Sequence, residues 1–259
     1  MLEHPAAVSP EVVFISDLHL HPDDLMIQRR FERFMQWIKQ HRPKSLYILG
    51  DLFHVWVGDD CVDEWIVEIA AHFQALTEQG MHVYFMPGNR DFLLGNVYAK
   101  LAGFGLLEDP TVIVLGNNLP VLLAHGDAYC LLDIAHQRFR KFSRHPLARR
   151  IFLATPKSLR HAIVMKIRKR SQQNHHRMTT IMDVVPEACI RAMREFGVHT
   201  LIHGHTHRPG LSLYDSTGAI CSSNLGVFER YVLSDWDDTP QVLCYYKSKG
   251  LQFTHFDAQ

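Results

Sequence analysis

Five short runs of apolar residues recur along the chain, and each is followed by polar residues that can bind a metal ion. Aliphatic and β-branched runs of this length, bounded by Gly, Pro or Asp, predict buried strands. The runs are 12–15 before Asp17 and His19, 46–49 before Asp51, 83–86 before Asn89, 121–123 before His125, and 200–202 before His205 and His207. In an open α/β sheet, ligands bind beyond the carboxyl ends of the strands. We therefore expect these side chains to meet at one edge.

Helical periodicity fills the segments between these runs. Apolar residues recur at helical spacing from Phe31 to Ile38, stop before Pro43, and recur again over 62–79, 92–102 and 186–196. The alternation of strands and helices predicts an α/β layered architecture. The stretch 210–256 is typical of strands and turns instead, so we expect a second sheet.

Residues 134–182 interrupt the alternation, because they contain thirteen Lys and Arg residues and no Asp or Glu. Apolar residues are interleaved with the basic ones, which predicts two or three short amphipathic helices. We assign 134–182 to a helical cap and 1–133 with 183–259 to the core. An ordinary solvated insertion would have the same composition. The position between two predicted ligands favours a cap that admits an anionic substrate, whose apolar face could receive acyl chains or contact the inner leaflet.

Composition excludes several other classes of protein. The formal net charge is zero, with 47% hydrophobic and 21% charged residues, so no nucleic-acid partner is expected. The five cysteines are far apart and form no C-x-x-C motif, which fits a reducing cytoplasm. The first residues do not resemble a signal peptide, and no run reaches the roughly 20 apolar residues that span a bilayer. Any contact with a membrane is therefore expected to be peripheral.

The residue types at the strand ends suit a site for two metal ions. In an extended backbone, the residues at i and i+2 point to the same side, as expected for Asp17 with His19 and His205 with His207. Gly50, before Asp51, allows a close approach of the backbone. The two oxygens of Asp51 could bridge two ions, and two such ions about 3.5–4 Å apart can clamp a phosphoryl group.

Each of these residues also has an ordinary explanation on its own. Asp17 could cap a helix, Asp51 and Asn89 could occupy turns, and His125 could be a hydrogen-bonded core histidine. Burying polar groups at five strand ends without binding partners would cost free energy, so the joint pattern favours a metal centre. Carboxylate, amide and imidazole donors suit Mn²⁺, Fe²⁺, Co²⁺ or Zn²⁺.

The order D-x-H, G-D, G-N, H-G-D and G-H-x-H resembles the calcineurin-like metallophosphoesterase superfamily. That resemblance implies a two-sheet αββα sandwich with a dimetal centre at the strand ends. It also implies that one ion is held by Asp17, His19, Asp51 and His207, and the other by Asp51, Asn89, His125 and His205.

Longer motifs resemble one family within it, the UDP-2,3-diacylglucosamine hydrolases of lipid A biosynthesis. They are Tyr47-Ile48-Leu49-Gly50-Asp51-Leu52-Phe53, Trp56-Val57-Gly58-Asp59-Asp60, Gly88-Asn89-Arg90-Asp91-Phe92-Leu93-Leu94-Gly95 and His203-Gly204-His205-Thr206-His207-Arg208-Pro209. The resemblance implies a pyrophosphatase in which metal-bound water attacks the α-phosphorus, giving UMP and 2,3-diacylglucosamine 1-phosphate. It further implies two divalent ions, with Mn²⁺ favoured, and a place on the cytoplasmic face of the inner membrane.

By the same resemblance, Arg90 joins the catalytic residues as a clamp on phosphate oxygens, which its paired guanidinium donors suit. The substrate contacts that the resemblance implies are Asn89, Arg90, Asp133, Ser171, Asn174, Arg177 and His205.

Two rival functions remain open. Another metallophosphoesterase, acting on a nucleotide or a phosphodiester, would share every metal ligand and differ in the cap. A non-catalytic interaction module with this fold should have lost ligands, and none of the seven positions is missing. No obligate protein partner is indicated.

Overall fold

The computed structural model describes residues 9–175, 183–221, 227–237 and 239–256, and side chains are described through Lys169 and again from Asp183. We number the strands β1 Val12–Ile15, β2 Ser45–Ile48, β3 His82–Phe85, β4 Phe104–Leu106, β5 Thr111–Leu115, β6 Leu119–Ala124, β7 Thr200–His203, β8 Gly210–Tyr214, β9 Phe228–Val232, β10 Gln241–Tyr246 and β11 Gly250–His255. The helices are α1 Leu25–His41, α2 Glu64–Glu78, α3 Asn96–Ala102, α4 Ile134–Ser143, α5 Pro146–Leu153, α6 Lys157–His175 and α7 Pro186–Glu195.

Two sheets form the centre of the molecule. The first has the order β11-β10-β1-β2-β3-β4, and the second has the order β5-β6-β7-β9-β8. Strands β1 to β4 are parallel, as are β6, β7 and β9, so their carboxyl ends lie along common edges.

Side chains alternate in direction along each strand, so the two faces of a sheet pack against different partners. In β1, Val13 and Ile15 pack with the helices α1 to α3, whereas Phe14 packs between the sheets with Leu123 and Ile202. Successive strand residues point to opposite faces, which explains this division. Helix α7 covers the outer face of the second sheet. The predicted αββα sandwich is confirmed.

The helix ends follow local capping chemistry. Asp24 caps α1 by accepting hydrogen bonds from the backbone N–H of Met26 and Ile27, and the helix ends at Arg42, as predicted from Pro43. Helix α3 begins at residue 96, not at 92 as the periodicity predicts. The carboxylate of Asp59 accepts the N–H groups of Gly95, Val97 and Tyr98, and so fixes the later start.

The stretch 210–256 contains strands, as predicted, but they do not form a sheet of their own. Strands β8 and β9 complete the second sheet, whereas β10 and β11 extend the first sheet beside β1. Strand β10 pairs antiparallel with β1 in the register Val13↔Cys244, and Val242 and Cys244 are buried in the core that β1 forms with helices α1 to α3.

Within the described part of 134–182, the chain forms the helices α4, α5 and α6. Neither α4 nor α5 has a buried residue, and large apolar side chains on both helices are exposed, including Phe142 (69%) and Ile151 (61%). Within the described residues, no helix is both long enough and apolar enough to cross a bilayer.

Candidate metal centre

Five of the predicted ligands converge tightly at the carboxyl ends of the strands. Ligand atoms of Asp17, His19 and His207 all lie within 4.8 Å of one another, and so do ligand atoms of Asp17, Asp51 and His125. The two groups share Asp17. His19 Nε2 lies only 3.2 Å from His207 Nε2, and His207 Nε2 lies 3.5 Å from Asp17 Oδ1.

Asn89 and His205 join the same cluster. Asn89 Oδ1 lies 2.9 Å from His125 Nε2 and 2.9 Å from His205 Nδ1. The backbone N–H of His205 also donates to Asp17 Oδ2 at 2.8 Å. The structure thus brings all seven predicted ligands together.

The carboxylate of Asp51 lies between the two groups of donors. Its Oδ1 is 3.7 Å from His125 Nε2, and its Oδ2 is 3.9 Å from His19 Nδ1. Each oxygen therefore faces a different histidine, which is the arrangement needed for a carboxylate that contacts two ions.

Within the described residues, two buried polar atoms at the site make no hydrogen bond, Asp17 Oδ1 and His19 Nδ1. Asp17 Oδ2 accepts from Ser16 Oγ at 2.6 Å, whereas Asp17 Oδ1 only approaches His207 Nε2 at 3.5 Å and His19 Nδ1 only approaches Asp51 Oδ2 at 3.9 Å. Buried polar atoms are nearly always bonded, so atoms of this kind require an explanation. A divalent cation would satisfy both, and the oxygen and imidazole donors are of the type that such ions bind. The residues therefore fit a metal ion.

The buried carboxylates also draw positive charge to the site. Burial raises the pKa of Asp51. Burial opposes the charged form of His125, but the charges of Asp51 and Asp127 raise its pKa to about 9. Burial likewise opposes protonation of His207, but the neighbouring carboxylates of Asp17 and Asp235 raise its pKa to about 10. Divalent cations would supply the same compensation.

The backbone around the ligands departs from the extended form that the D-x-H and H-x-H patterns predict. Positive φ angles occur at five ligands, namely Asp17 (55°), His19 (52°), Asp51 (55°), His205 (70°) and His207 (54°). These residues follow the strands in left-handed turns, and the turns direct them to the site. Non-glycine residues in sparsely populated backbone regions cost about 1–3 kcal/mol each and cluster at functional sites.

Gly50 provides the close approach that the sequence predicts. Its φ is +89°, and a Cβ on Gly50 would lie 2.6 Å from Gly88 Cα and 2.6 Å from His125 Nδ1. Any side chain at Gly50 would separate the loops that carry Asp51 and Asn89.

Asp91 organises both loops, a role that its place in the G-N-R-D motif does not reveal. It is fully buried, and Asp91 Oδ1 accepts from the backbone N–H of Gly88 at 2.7 Å and of Asp51 at 3.2 Å. Its Oδ2 accepts from the N–H of Leu52 at 2.7 Å and of Phe53 at 3.4 Å. Burial and the charge of Asp51 raise the pKa of Asp91 to about 7.

Contacts of the ring nitrogen Nδ1 orient two of the histidines, His125 and His207. His125 Nδ1 is 2.9 Å from the Leu49 carbonyl oxygen, and His207 Nδ1 is 3.4 Å from Asp235 Oδ2. Both contacts leave Nε2 directed into the site, as happens when a metal-binding histidine donates its other ring nitrogen to a carbonyl or carboxylate. Asp235 was not among the residues that the sequence indicates.

Among the described side chains, Arg90 contacts the cluster and Arg168 lies beside His54. Arg90 Nε is 3.2 Å from Asp51 Oδ2, and the Arg90 backbone N–H donates to Asp51 Oδ1 at 2.8 Å. Arg168, on α6, approaches His54 Nδ1 at 3.4 Å. Burial and the like charge of Arg90 lower the pKa of Arg168 to about 9. The sequence does not single out Arg168, because this residue belongs to a long basic run.

The structure describes the four predicted substrate contacts at residues 133–177 to different extents. Asp133 caps α4, where its Oδ1 accepts the His136 N–H at 2.9 Å. Ser171 and Asn174 lie in α6, and their side chains are outside the described part of the structure. Arg177 lies outside the described residues altogether. Substrate binding by these residues stays a prediction.

The family model for calcineurin-like phosphoesterases matches residues 10–209, which include every candidate metal ligand. The chain belongs to the calcineurin-like phosphoesterase family. The resemblance seen in the sequence is confirmed, and with it the expectation of divalent metal ions.

Within the family, the chain is similar to proteins named UDP-2,3-diacylglucosamine hydrolase. The protein of Pseudomonas aeruginosa (strain UCBPP-PA14) is 43% identical over 227 residues, 87% of this chain and 91% of that protein. That of Pseudomonas syringae pv. syringae (strain B728a) is 39% identical over 249 residues, 95% of this chain and 96% of that protein. A solved dimetal phosphatase from Danio rerio is 13% identical, with a TM-score of 0.48 over 96% of this chain and 100% of that one.

Proposed function

We propose that the chain hydrolyses the pyrophosphate bond of UDP-2,3-diacylglucosamine, giving UMP and 2,3-diacylglucosamine 1-phosphate in lipid A biosynthesis. The observation that carries the proposal is the convergence of seven metal-binding side chains at one edge. It occurs in a chain that is 43% identical, over 87% of its length, to a hydrolase of that substrate.

We assign one ion to Asp17, His19, Asp51 and His207, and the other to Asp51, Asn89, His125 and His205. The position of the Asp51 oxygens, each facing a different histidine, supports its role as the bridge. When bound, two such ions polarise phosphoryl oxygens and lower the pKa of a water so that it is nucleophilic at neutral pH. We propose Mn²⁺ as the metal, because carboxylate and amide oxygens accompany the imidazoles and no thiolate is present.

Arg90 and Arg168 provide fixed positive charge for the substrate. Their side chains approach Asp51 and His54 beside the cluster, where pyrophosphate oxygens have to lie. Guanidinium groups bind phosphate oxygens through paired donors, so the two arginines would orient the pyrophosphate. Both products are phosphates of low pKa. Departure of the leaving group therefore needs no general-acid histidine, and Arg90 can occupy the position after Asn89.

Residues 134–182 form the proposed cap, which receives the lipid part of the substrate. Its described helices expose apolar side chains among basic ones, and the most exposed are Ile134, Phe142, Leu147, Ile151 and Leu159. The basic side chains match anionic lipid headgroups, and the apolar ones match acyl chains. We propose that the cap contacts the inner leaflet, with the protein peripheral on its cytoplasmic face. Asp133, Ser171, Asn174 and Arg177 are the proposed polar contacts to the sugar.

UMP release from UDP-2,3-diacylglucosamine tests the proposal. Metal-stripped protein is assayed with and without Mn²⁺, and bis(p-nitrophenyl) phosphate serves as a simple phosphodiester in a parallel assay. We expect fast release of UMP that depends on added Mn²⁺. Hydrolysis of the phosphodiester without UMP release would retain the metal centre and refute the lipid substrate. Inactivity in both assays would refute the proposed enzyme.

A further inference from the structure

A cluster of four charged side chains fixes the first cap helix, α4, to the loops of the candidate metal centre. It consists of Asp109, Asp127, Arg140 and Arg144, and we call it the charge cluster. Asp127 is fully buried, the Asp109 side chain is 3% exposed, and both arginine side chains are 22% exposed. Two carboxylates thus balance two guanidinium groups in a site that is largely shielded from water.

The arginines of the charge cluster bridge both carboxylates. Arg140 Nε donates to Asp127 Oδ2 at 3.0 Å, and Arg140 Nη2 donates to Asp109 Oδ2 at 2.9 Å. Arg144 Nη1 donates to Asp109 Oδ2 at 3.3 Å, and Arg144 Nη2 approaches Asp127 Oδ2 at 3.4 Å. Arg140 lies within α4 and Arg144 forms its C-cap, so the whole helix is tied to Asp109 and Asp127.

Both sides of the charge cluster reach the backbone that carries predicted metal ligands. Asp109 Oδ1 accepts the backbone N–H of His125 at 3.1 Å. Arg144 Nη2 donates to the carbonyl of Gly88, the residue before Asn89, at 3.2 Å. The guanidinium of Arg144 therefore joins α4 directly to the loop that carries Asn89, and through Asp109 to the backbone of His125.

A third contact joins α4 to the metal centre. The side chain of His136, also on α4, lies 3.4 Å from Asp127 Oδ2, and its ring stacks on that of His205 with centroids 5.7 Å apart. Three ligand positions, 89, 125 and 205, are therefore in contact with α4 or with the charge cluster. These are the ligands that we assign to a single metal ion.

We propose that Arg144 is a positioning residue that couples the placement of α4 to the affinity of this metal site. The proposal rests on the metal centre of the proposed function. Arg144 touches neither the metal nor the substrate; it acts by holding the Gly88–Asn89 peptide and, through Asp109, the His125 peptide. Outer-shell partners of this kind commonly contribute 10- to 100-fold to metal affinity. Their coupling is reciprocal, so metal binding has to tighten α4 in return.

The test measures Mn²⁺ affinity of the purified full chain by titration with electron paramagnetic resonance detection of free Mn²⁺. We expect Arg144→Gln to weaken Mn²⁺ binding about tenfold. If the titration resolves two affinities, the change is expected in the tighter one; if it does not, the change is expected in their mean. Arg144→Lys should give an intermediate affinity, because it keeps the charge but lacks the fixed fork of guanidinium donors that faces Asp109, Asp127 and Gly88. Arg138→Gln, at an exposed position on the same helix, is the matched control and should keep the wild-type affinity.

Hydrogen exchange provides the second readout, which a purely structural role would not change. In the wild type, Mn²⁺ should slow amide exchange in α4, and Arg144→Gln should lose most of that added protection. If Arg144→Gln does not fold, Arg144→Lys carries both measurements. Wild-type affinity and wild-type protection in the substituted protein would overturn the coupling alone. Absence of Mn²⁺ binding by the wild type would overturn the metal centre, and the coupling with it.

Discussion

Substitution of Asp91 should destabilise the fold strongly, although Asp91 binds neither the metal nor the substrate in the proposed site. Its two oxygens accept four backbone N–H groups, from Gly88, Asp51, Leu52 and Phe53, and two of these bonds are only 2.7 Å long. Asp91→Asn replaces one acceptor oxygen with a donor, which loses one short and one longer bond and leaves two buried N–H groups without an acceptor. A hydrogen bond to a charged group contributes about 1.5–3 kcal/mol, and an unsatisfied buried group costs about 1–3 kcal/mol. We therefore expect the free energy of unfolding to fall by about 2–4 kcal/mol.

The assay is urea unfolding of metal-stripped protein at pH 8, followed by circular dichroism, so that changes in metal affinity do not enter. Asp63→Asn is the matched control. Asp63 accepts one bond of 2.9 Å from Ile66 N–H at the exposed start of α2. Asn caps helices as well as Asp does, so this variant should change stability by no more than about 0.5 kcal/mol. A loss below about 1 kcal/mol for Asp91→Asn would refute the organising role of Asp91.

Three further predictions concern activity and lipid binding. Asp51→Asn should lower kcat at least about 100-fold, equivalent to about 2.7 kcal/mol, without unfolding the protein, because it removes the bridging charge; full activity would contradict the two-metal assignment. Charge reversal at Arg149 and Arg150 should weaken binding to anionic vesicles at low salt, since each basic residue near the surface contributes about 1 kcal/mol; unchanged sedimentation with the vesicles would exclude this surface. Arg168→Gln should raise the KM for UDP-2,3-diacylglucosamine about tenfold, the loss expected for one charge-assisted bond, whereas the exposed Lys169→Gln should not; equal KM values in steady-state assays would remove Arg168 from the substrate site.

The positions of the ligands could be predicted from the sequence because the signals are local. Each of β1, β2, β3, β6 and β7 agrees with its apolar run to within about two residues, and the polar residue after each strand is visible in the same window. Parallel pairing brings the ends of β1, β2 and β3 to one edge of the first sheet and the ends of β6 and β7 to one edge of the second. The packing of the two sheets and the turns after the strands then bring the carboxylates and histidines together.

The supporting residues could not be predicted because their partners are distant in the chain. Arg144 lies 35 positions from Asp109, and on a basic helix it is indistinguishable from a solvated charge. Strand β10 pairs with β1 across more than 220 residues, and no local pattern specifies which sheet it joins. Strand β4 has three residues, one of them Gly105, and gives no periodic signal of its own.

The left-handed turns at the ligands create a conflict between the stability of the fold and metal binding. Asp17, Asp51 and His207 hold backbone angles that Gly would adopt more readily than the present residues. Replacement by Gly removes a ligand and relieves strain in the same step. A screen that selects only for heat resistance in metal-free protein should therefore enrich inactive variants at these positions. The ligands persist only where function is selected together with folding.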